Sequence, residues 1–340
     1  MLNIRELARL AGVSHGAASL ALRGRPGVSA ETRERVVRLA AQHGYRPNPM
    51  VTALMTQVGA RQRRRVKSII GLLSTMDMDH YPLHSNPRLF HEGINRAAHG
   101  AGYAVELFTF ERFDAKVPLA RMLKARCVQG LILDHMRDEF ERLELDRSRF
   151  AFVALGVPMR NREVDFVCND HGHTVRLTIQ NLWRLGYRRL GLALDGRRPE
   201  HEESAILAAF LEWQYRQAGG KVIPLHTRNW SPSVLLAWYA REKPDAIISG
   251  DHLILDWLKK AKVDVPRDVA FAHLDLDLRW KGIAGVNECN DEVGAAAMDL
   301  LISLLNGNRF GLPEHPRTVK LQGSWIDGST APCRPAKRGG

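Results

Sequence analysis

The chain has 340 residues, with 49 Lys+Arg against 37 Asp+Glu and a formal net charge of +12. That length exceeds one ordinary hydrophobic core and calls for a small module joined to a larger, divided one. No apolar run is long enough to span a bilayer, and the first residues are charged and amphipathic rather than a signal sequence, so neither a membrane span nor export is expected. Cys127, Cys168, Cys289 and Cys333 show no paired Cys-x-x-Cys spacing and read as reduced thiols of a cytoplasmic protein.

The positive charge is unevenly placed. Residues 1–67 hold 13 Lys+Arg and 3 Asp+Glu, while the remainder hold 36 and 34. Nearly all of the excess therefore lies on the first fifth of the chain, as phosphate neutralisation requires.

That segment opens with Asn3, which can cap a helix over Ile4 to Ala11 in an Asn-x-x-Glu box with Glu6. Gly12 ends this helix, and Ser14 caps a second, His15 to Leu22. Helix, three-residue turn and helix form the DNA-binding helix-turn-helix, whose second helix enters the major groove. A third helix, Ala30 to His43, is capped by Ser29. Its stripe of Val36, Leu39 and Ala40 packs on a core of Leu7, Ala8, Val13, Ala18, Leu22 and Val28.

Asn48 and Pro49 can start another short helix over Met50 to Val58. The basic run Arg61 to Lys67 either touches phosphates or stays solvated. From Ser68, apolar runs alternate with helical patterns in two successive sets. The first set is Ser68–Leu73, Arg88–Ala101, Ala104–Phe108, Val117–Ala125, Gly130–Leu133 and Phe150–Leu155. The second is Thr174–Leu185, Leu190–Leu194, Glu203–Gln217, Lys221–Leu225, Ser233–Glu242, Ala246–Ser249, Leu253–Lys260, Val269–His273 and Glu292–Asn306. Alternation of this kind means parallel sheets covered on both faces, and two sets mean two lobes.

Several phrases carry a family resemblance. Ala8, Ala11-Gly12-Val13-Ser14, Ser19, Val28-Ser29, Thr32-Arg33-Glu34-Arg35-Val36 and Gly44-Tyr45-Arg46-Pro47-Asn48 resemble the headpiece of the lactose-repressor (LacI/GalR) family of bacterial transcriptional regulators. From about Ile69 to Thr330 the chain is similar to the two-lobed, periplasmic-binding-protein-like core of the same family. The phrases are Phe90-His91-Glu92-Gly93-Ile94, Gly102-Tyr103, Gly130-Leu131-Ile132-Leu133, Leu185 to Gly191, Pro244-Asp245-Ala246, Val265 to Val269 and Gly328-Ser329-Thr330.

The resemblance implies an all-α helix-turn-helix headpiece (1–46), a hinge helix with basic linker (47–67), and an α/β two-lobed effector-binding and dimerisation core with parallel sheets (68–330). Residues 331–340 read as a disordered tail. It further implies a cytoplasmic, nucleoid-associated homodimer on double-stranded operator DNA, a regulator and more specifically a repressor, controlled by a small-molecule effector of carbohydrate type.

For DNA, His15 and Arg23 are the candidates for base edges, and Ser14, Ser19, Ser29, Thr32 and Asn48 for phosphates. Leu54 stands where the family wedges a leucine into the minor groove, although an ordinary dimer contact would also suit it. Gly16, Ala17 and Leu20 replace side chains that are usually polar, so direct readout is sparse. Leu20 either meets a thymine methyl or packs as core.

For the effector, strand ends in a two-lobed α/β core offer Ser74 and Thr75, Asp134 and His135, Asp195, Asp251 and Asp275. Trp230 falls where relatives stack a ring on sugar, with a core aromatic as the alternative. Asp275 falls at an effector-binding acid, with a strand-end cap as the alternative. Two positions depart from the family: Ile206, four places before Phe210, replaces an anchoring arginine, and Gly250-Asp251 replaces an Asn-Asp pair.

His80, His84 and His91 read as scattered surface histidines rather than a metal site. No nucleophile elbow, phosphate-cradling loop, H-E-x-x-H or cofactor motif is present, so neither catalysis nor a cofactor is expected. An architectural DNA binder without a ligand, or an enzyme with a DNA-binding appendage, are the other classes to weigh.

Overall fold

The computed structural model describes residues 4–22, 27–43, 45, 68–75, 86–109, 119–134, 136, 139–156, 163–196, 200–217 and 221–334. Arg23, Asn48, Leu54, His80, His84, His135, the short helix expected at Met50 to Val58 and the basic run 61–67 lie outside them.

Three helices form the first module: α1 (Ile4–Leu10), α2 (His15–Leu22) and α3 (Ala30–Gln42). Gly12 adopts φ +63°, which lets Val13 N–H reach Ala8 O at 3.0 Å and close the end of α1. Ser14 Oγ then accepts Ala17 N–H at 3.1 Å, and Ser29 Oγ accepts Thr32 N–H at 3.2 Å. The caps expected at Ser14 and Ser29 are thus made, while the one expected at Asn3 lies outside the described residues. Leu7, Ala8, Ala11, Ala18, Ala21, Val36 and Ala40 are buried together, with Val13, Leu22, Val28 and Leu39 partly buried around them.

Lobe 1 is built on a sheet of order β11-β5-β4-β3-β1-β2, entirely parallel. Its strands are β1 (Ser68–Ser74), β2 (Tyr103–Thr109), β3 (Gly130–Asp134), β4 (Ala151–Leu155), β5 (Asp165–Asn169) and β11 (Thr318–Leu321). Helices α4 (Asn86–Gly100) and α10 (Asn290–Asn306) pack on one face. Helix α5 (Leu119–Ala125) and two 3₁₀ turns cover the other.

Lobe 2 repeats the pattern with order β12-β10-β9-β8-β6-β7. Its strands are β6 (Leu190–Asp195), β7 (Leu225–Thr227), β8 (Ala246–Ser249), β9 (Ala270–His273), β10 (Ala284–Asn287) and β12 (Ser324–Ile326), of which β12 alone runs antiparallel. Helices α6 (His171–Arg184) and α7 (Glu200–Arg216) cover one face, and α8 (Pro232–Glu242) and α9 (Leu253–Lys260) the other.

The chain passes between the lobes three times, at Asn169–His171, Asn287–Asn290 and Leu321–Ser324. Asn169 Nδ2 donates to Glu288 O at 3.0 Å and to Asn290 Oδ1 at 2.9 Å. The carboxyl-terminal edges of the two sheets therefore meet at these crossovers, which is where open α/β sheets hold ligands.

The structure departs from the sequence reading in four places. Strands β5, β10, β11 and β12 were not expected, being only three to five residues long. Helix α6 begins at His171 because Asp170 Oδ1 caps it through His173 N–H at 3.1 Å. Strand β7 starts at Leu225 rather than Lys221, since Ile223 N–H is taken by Glu242 Oε2 (3.1 Å) and Val222 O by Gln214 Nε2 (2.7 Å). Residues 331–334 are packed rather than loose. Arg334 stacks over Tyr187 at 4.4 Å, donates from its main chain to Leu185 O and pairs with Asp245, while Tyr187 Oη donates to Pro332 O.

Candidate DNA-binding and effector sites

On α2 the buried side is made by Ala18 and Ala21, leaving His15 and Gly16 exposed and Ser19 and Leu20 half-buried. This outer face carries few donors, as the sequence implied. Leu20 Cδ1 also closes against Gly27, within 3.3 Å of where a Cβ on that glycine would stand, so part of its surface is already spent on packing. Ser29 Oγ donates to Thr32 Oγ1 at 2.8 Å, which ties two phosphate candidates to each other at the exposed start of α3.

The effector candidates sit at strand ends. Ser74, Asp134 and Asp195 close β1, β3 and β6, while Asp251 and Asp275 lie two residues past β8 and β9. In lobe 1, Ser74 and Asp134 are paired in register and fully buried. Ser74 Oγ donates to Asp134 Oδ2 at 3.3 Å, and His91 Nε2 lies 2.7 Å from the same oxygen. His91 is therefore not a surface histidine as the sequence suggested: it points from α4 into the sheet end and is 2% exposed. The signal available for it was helical spacing, since it shares a stripe with Ile94 and Ala98, both buried.

In lobe 2, Trp230 Nε1 donates to Asp251 Oδ2 at 2.6 Å, and Asp251 Oδ1 accepts Leu253 N–H at 2.9 Å at the start of α9. The Trp230 ring lies 5.7 Å from that of Trp257 and packs against the lobe 2 core. Ile206 and Phe210 are wholly inside the opposite core, so nothing at Ile206 replaces the arginine usual in the resembling family.

The residues that join the two walls were not singled out from sequence. Asp275 Oδ1 accepts Asn290 Nδ2 at 3.1 Å, and Asn290 Oδ1 accepts from Asn169. Beside this chain, Glu288 Oε1 accepts Thr174 Oγ1 at 2.6 Å and lies 3.1 Å from His171 Nδ1. A strand end of lobe 2 is thus wired to a strand end of lobe 1 through buried Asn169, Thr174, Glu288 and Asn290 and part-buried Asp275, so the buried members must keep their partners. Nearby, the Arg279 guanidinium has a raised pKa because of its hydrogen bond to Asp277, opposed by burial and helped by the charges of Asp277 and of Glu92 on α4 of the other lobe.

Burial works against charge on His171, but the Glu288 hydrogen bond and the charges of Glu288, Glu202 and Asp275 outweigh it and raise its pKa. A raised folded value gives stability that is full below the unfolded histidine pKa, about 6.5, and is lost as pH rises through the folded value. The melting-temperature gap between the parent and His171→Gln should accordingly be widest at about pH 5.5 and narrow toward about pH 9. A gap that widens with pH would contradict the pairing.

Among the described residues no group of three or more His, Cys, Asp or Glu is arranged to hold a metal, and no helix is long and apolar enough to cross a membrane. A helix-turn-helix module followed by two α/β lobes whose carboxyl edges meet is the architecture of a DNA-binding module joined to a two-lobed core.

Residues 3–48 match the model for bacterial regulatory proteins of the lacI family, and residues 179–330 match a periplasmic binding protein-like domain. The chain thus joins a lacI-family DNA-binding segment to a periplasmic binding protein-like one, the make-up of a DNA-binding transcriptional regulator. It is 25% identical to the regulator PtxS of Pseudomonas plecoglossicida over 97% of this chain and 96% of that protein. It is 24% identical to MalR of Streptomyces coelicolor, covering 99% and 98% of the two chains. Similar solved structures include a complex of the regulator CelR with cellobiose (TM-score 0.59, 20% identity, 97% and 100% coverage). The lac repressor dimer bound to operator and the anti-inducer ONPF is likewise similar (TM-score 0.59, 18% identity, 97% and 99% coverage).

Proposed function

We propose that this protein is a homodimeric repressor that binds a pseudo-palindromic operator and is controlled by a carbohydrate held between its lobes. The observation that carries the reading is the wired crossover: Asp275, at a strand end of the cleft, is hydrogen-bonded through Asn290 to Asn169 of the opposite lobe. A ligand that engages Asp275 must compete with or reinforce a link that sets the two lobes, and only such unequal interaction with two arrangements can shift an equilibrium. Supporting it, relatives are named as regulators, one as the repressor MelR of Bacillus subtilis, and one similar structure holds cellobiose.

In this reading residues 1–46 are the headpiece, 47–67 the hinge and linker and 68–330 the core. Ser74, Asp134, Asp195, Trp230, Asp251 and Asp275 supply the carboxylates, hydroxyl and ring that suit sugar hydroxyls and sugar faces. His15 and Arg23 read bases, Leu54 wedges the minor groove, and Ser14, Ser19, Ser29, Thr32 and Asn48 hold phosphates. The protein acts in the cytoplasm on the nucleoid and performs no catalysis.

The test is to sequence genomic fragments retained by the purified protein and then titrate the recovered site with mono- and disaccharides. A shared pseudo-palindrome whose affinity changes with one sugar supports the reading; fragments with no common symmetric site, or a site indifferent to every sugar, would overturn it. On that site His15→Ala should cost about 1–3 kcal/mol of binding with an unchanged melting temperature, because the side chain is exposed. Equal gel-shift titrations for the two proteins would remove His15 from the readout.

A further inference from the structure

A cavity of about 420 Å³ lies at the end of lobe 1 away from the crossovers, where the parallel strands begin. Its floor is Phe152 and Leu304, both buried. The loop after α10 forms its wall. That loop is pinned by Arg309 N–H to Leu304 O at 2.9 Å and Gly311 N–H to Phe150 O at 2.9 Å, with Gly311 at φ +82°. The wall is thus preformed, and the volume falls in the range of small-molecule sites.

The lining is electrically unbalanced. Asp165 is buried and fully committed to Arg317, accepting its main-chain N–H at 2.8 Å and its Nε at 3.1 Å, with a further contact from Nη2. Burial opposes and the Asp165 hydrogen bond outweighs, so the Arg317 guanidinium stays charged with a raised pKa. Arg309 bonds to a neutral group, Ser303 Oγ at 3.2 Å, and has no carboxylate partner among the described residues. Two guanidinium groups therefore share one carboxylate beside an apolar floor and the half-exposed ring of Phe310.

We infer that this cavity is a second ligand site, separate from the cleft, for a small anion with an apolar or planar body, a carboxylate or phosphate monoester, held by Arg309 and Arg317 over Phe152 and Phe310. A guanidinium that keeps spare donors suits the oxygens of either anion, and the rings suit the body. The place gives the site its consequence. Gly130, Ala151 and Ile70 are neighbours in register, so the cavity opens on the same sheet edge at which β1 receives the chain from the DNA-binding module. The cleft lies at the far end of these strands, roughly 15 Å away.

The probes are phenyl phosphate and its uncharged analogue benzyl alcohol, titrated calorimetrically into the full chain. Saturable binding of phenyl phosphate is expected, weakened at least tenfold in Arg309→Ala, weakened in Phe310→Ser, and unchanged in the cleft variant Asp275→Asn. Benzyl alcohol should bind at least tenfold more weakly. The assignment is overturned by absence of saturable binding, by equal affinity in Arg309→Ala with its melting temperature intact, by loss of binding in Asp275→Asn, or by benzyl alcohol binding as well as the anion.

Discussion

Replacing Gly93 by alanine should cost about 3 kcal/mol of stability, a melting-temperature loss of roughly 6–12 °C for a unit of this size. Helices α4 and α10 cross with their backbones in contact. A Cβ at Gly93 would overlap the carbonyl of Asp291, and one at Gly294 would overlap that of Phe90. Each glycine thus receives the other helix's main chain, and neither backbone can retreat without disturbing Ile94, Ala98, Val293, Ala297 and Met298 in the buried layer beneath. Arg96, paired with Asp291 and Glu292 at 2.8 Å each, fixes the same crossing from outside. Gly100→Ala is the control: it lies in the same helix, has nothing within 4 Å of a new Cβ and does not need positive φ, so it should leave stability unchanged or slightly raised. Calorimetric unfolding of the two variants side by side decides the point, and equal melting temperatures would refute the interlock.

Asn290→Ala should separate ligand binding from its effect on DNA. The substitution removes the donor to Asp275 and the acceptor of Asn169 together, while Asn169 keeps its bond to Glu288 O. Loss of stability of about 1–3 kcal/mol is expected from the buried groups left with fewer partners. The larger consequence lies in the response: the ratio of operator affinities with and without sugar should shrink by about an order of magnitude, the size of a typical coupling free energy. Operator titrations at saturating and zero sugar measure it. A ratio equal to that of the parent would place the coupling elsewhere in the crossovers.

The headpiece was legible because its information is local. Gly12, Ser14 and Ser29 each announce a helix boundary within three residues, and α2 runs over the very residues expected. The alternation of the core was legible for the same reason, since β1, β3, β6 and β8 are apolar runs between helical patterns. What joins the lobes was not. Strand β5 reads Asp-Phe-Val-Cys-Asn and β10 reads Ala-Gly-Val-Asn, too short and mixed for a period to show. The polar network couples Asn169 and Thr174 to Glu288 and Asn290, over a hundred residues along the chain, and no local pattern signals such a pair. Asp275 was placed by position in the chain; its partner Asn290 could only come from the fold.

The threefold passage between lobes also orders events during synthesis. Lobe 2 draws most of its layers from one continuous stretch, α6 to β10, whereas lobe 1 needs α10 and β11 from beyond it. Between the emergence of Asn169 and that of Asn290 a ribosome spends roughly 6–24 s at ordinary elongation rates. Throughout that interval Ile70, Leu72, Phe90 and Ile94 await the helix that will cover them. The nascent chain therefore presents an open apolar face to chaperones while most of its later-made half is already closing, and the first lobe to be translated stays incomplete until α10 and β11 emerge.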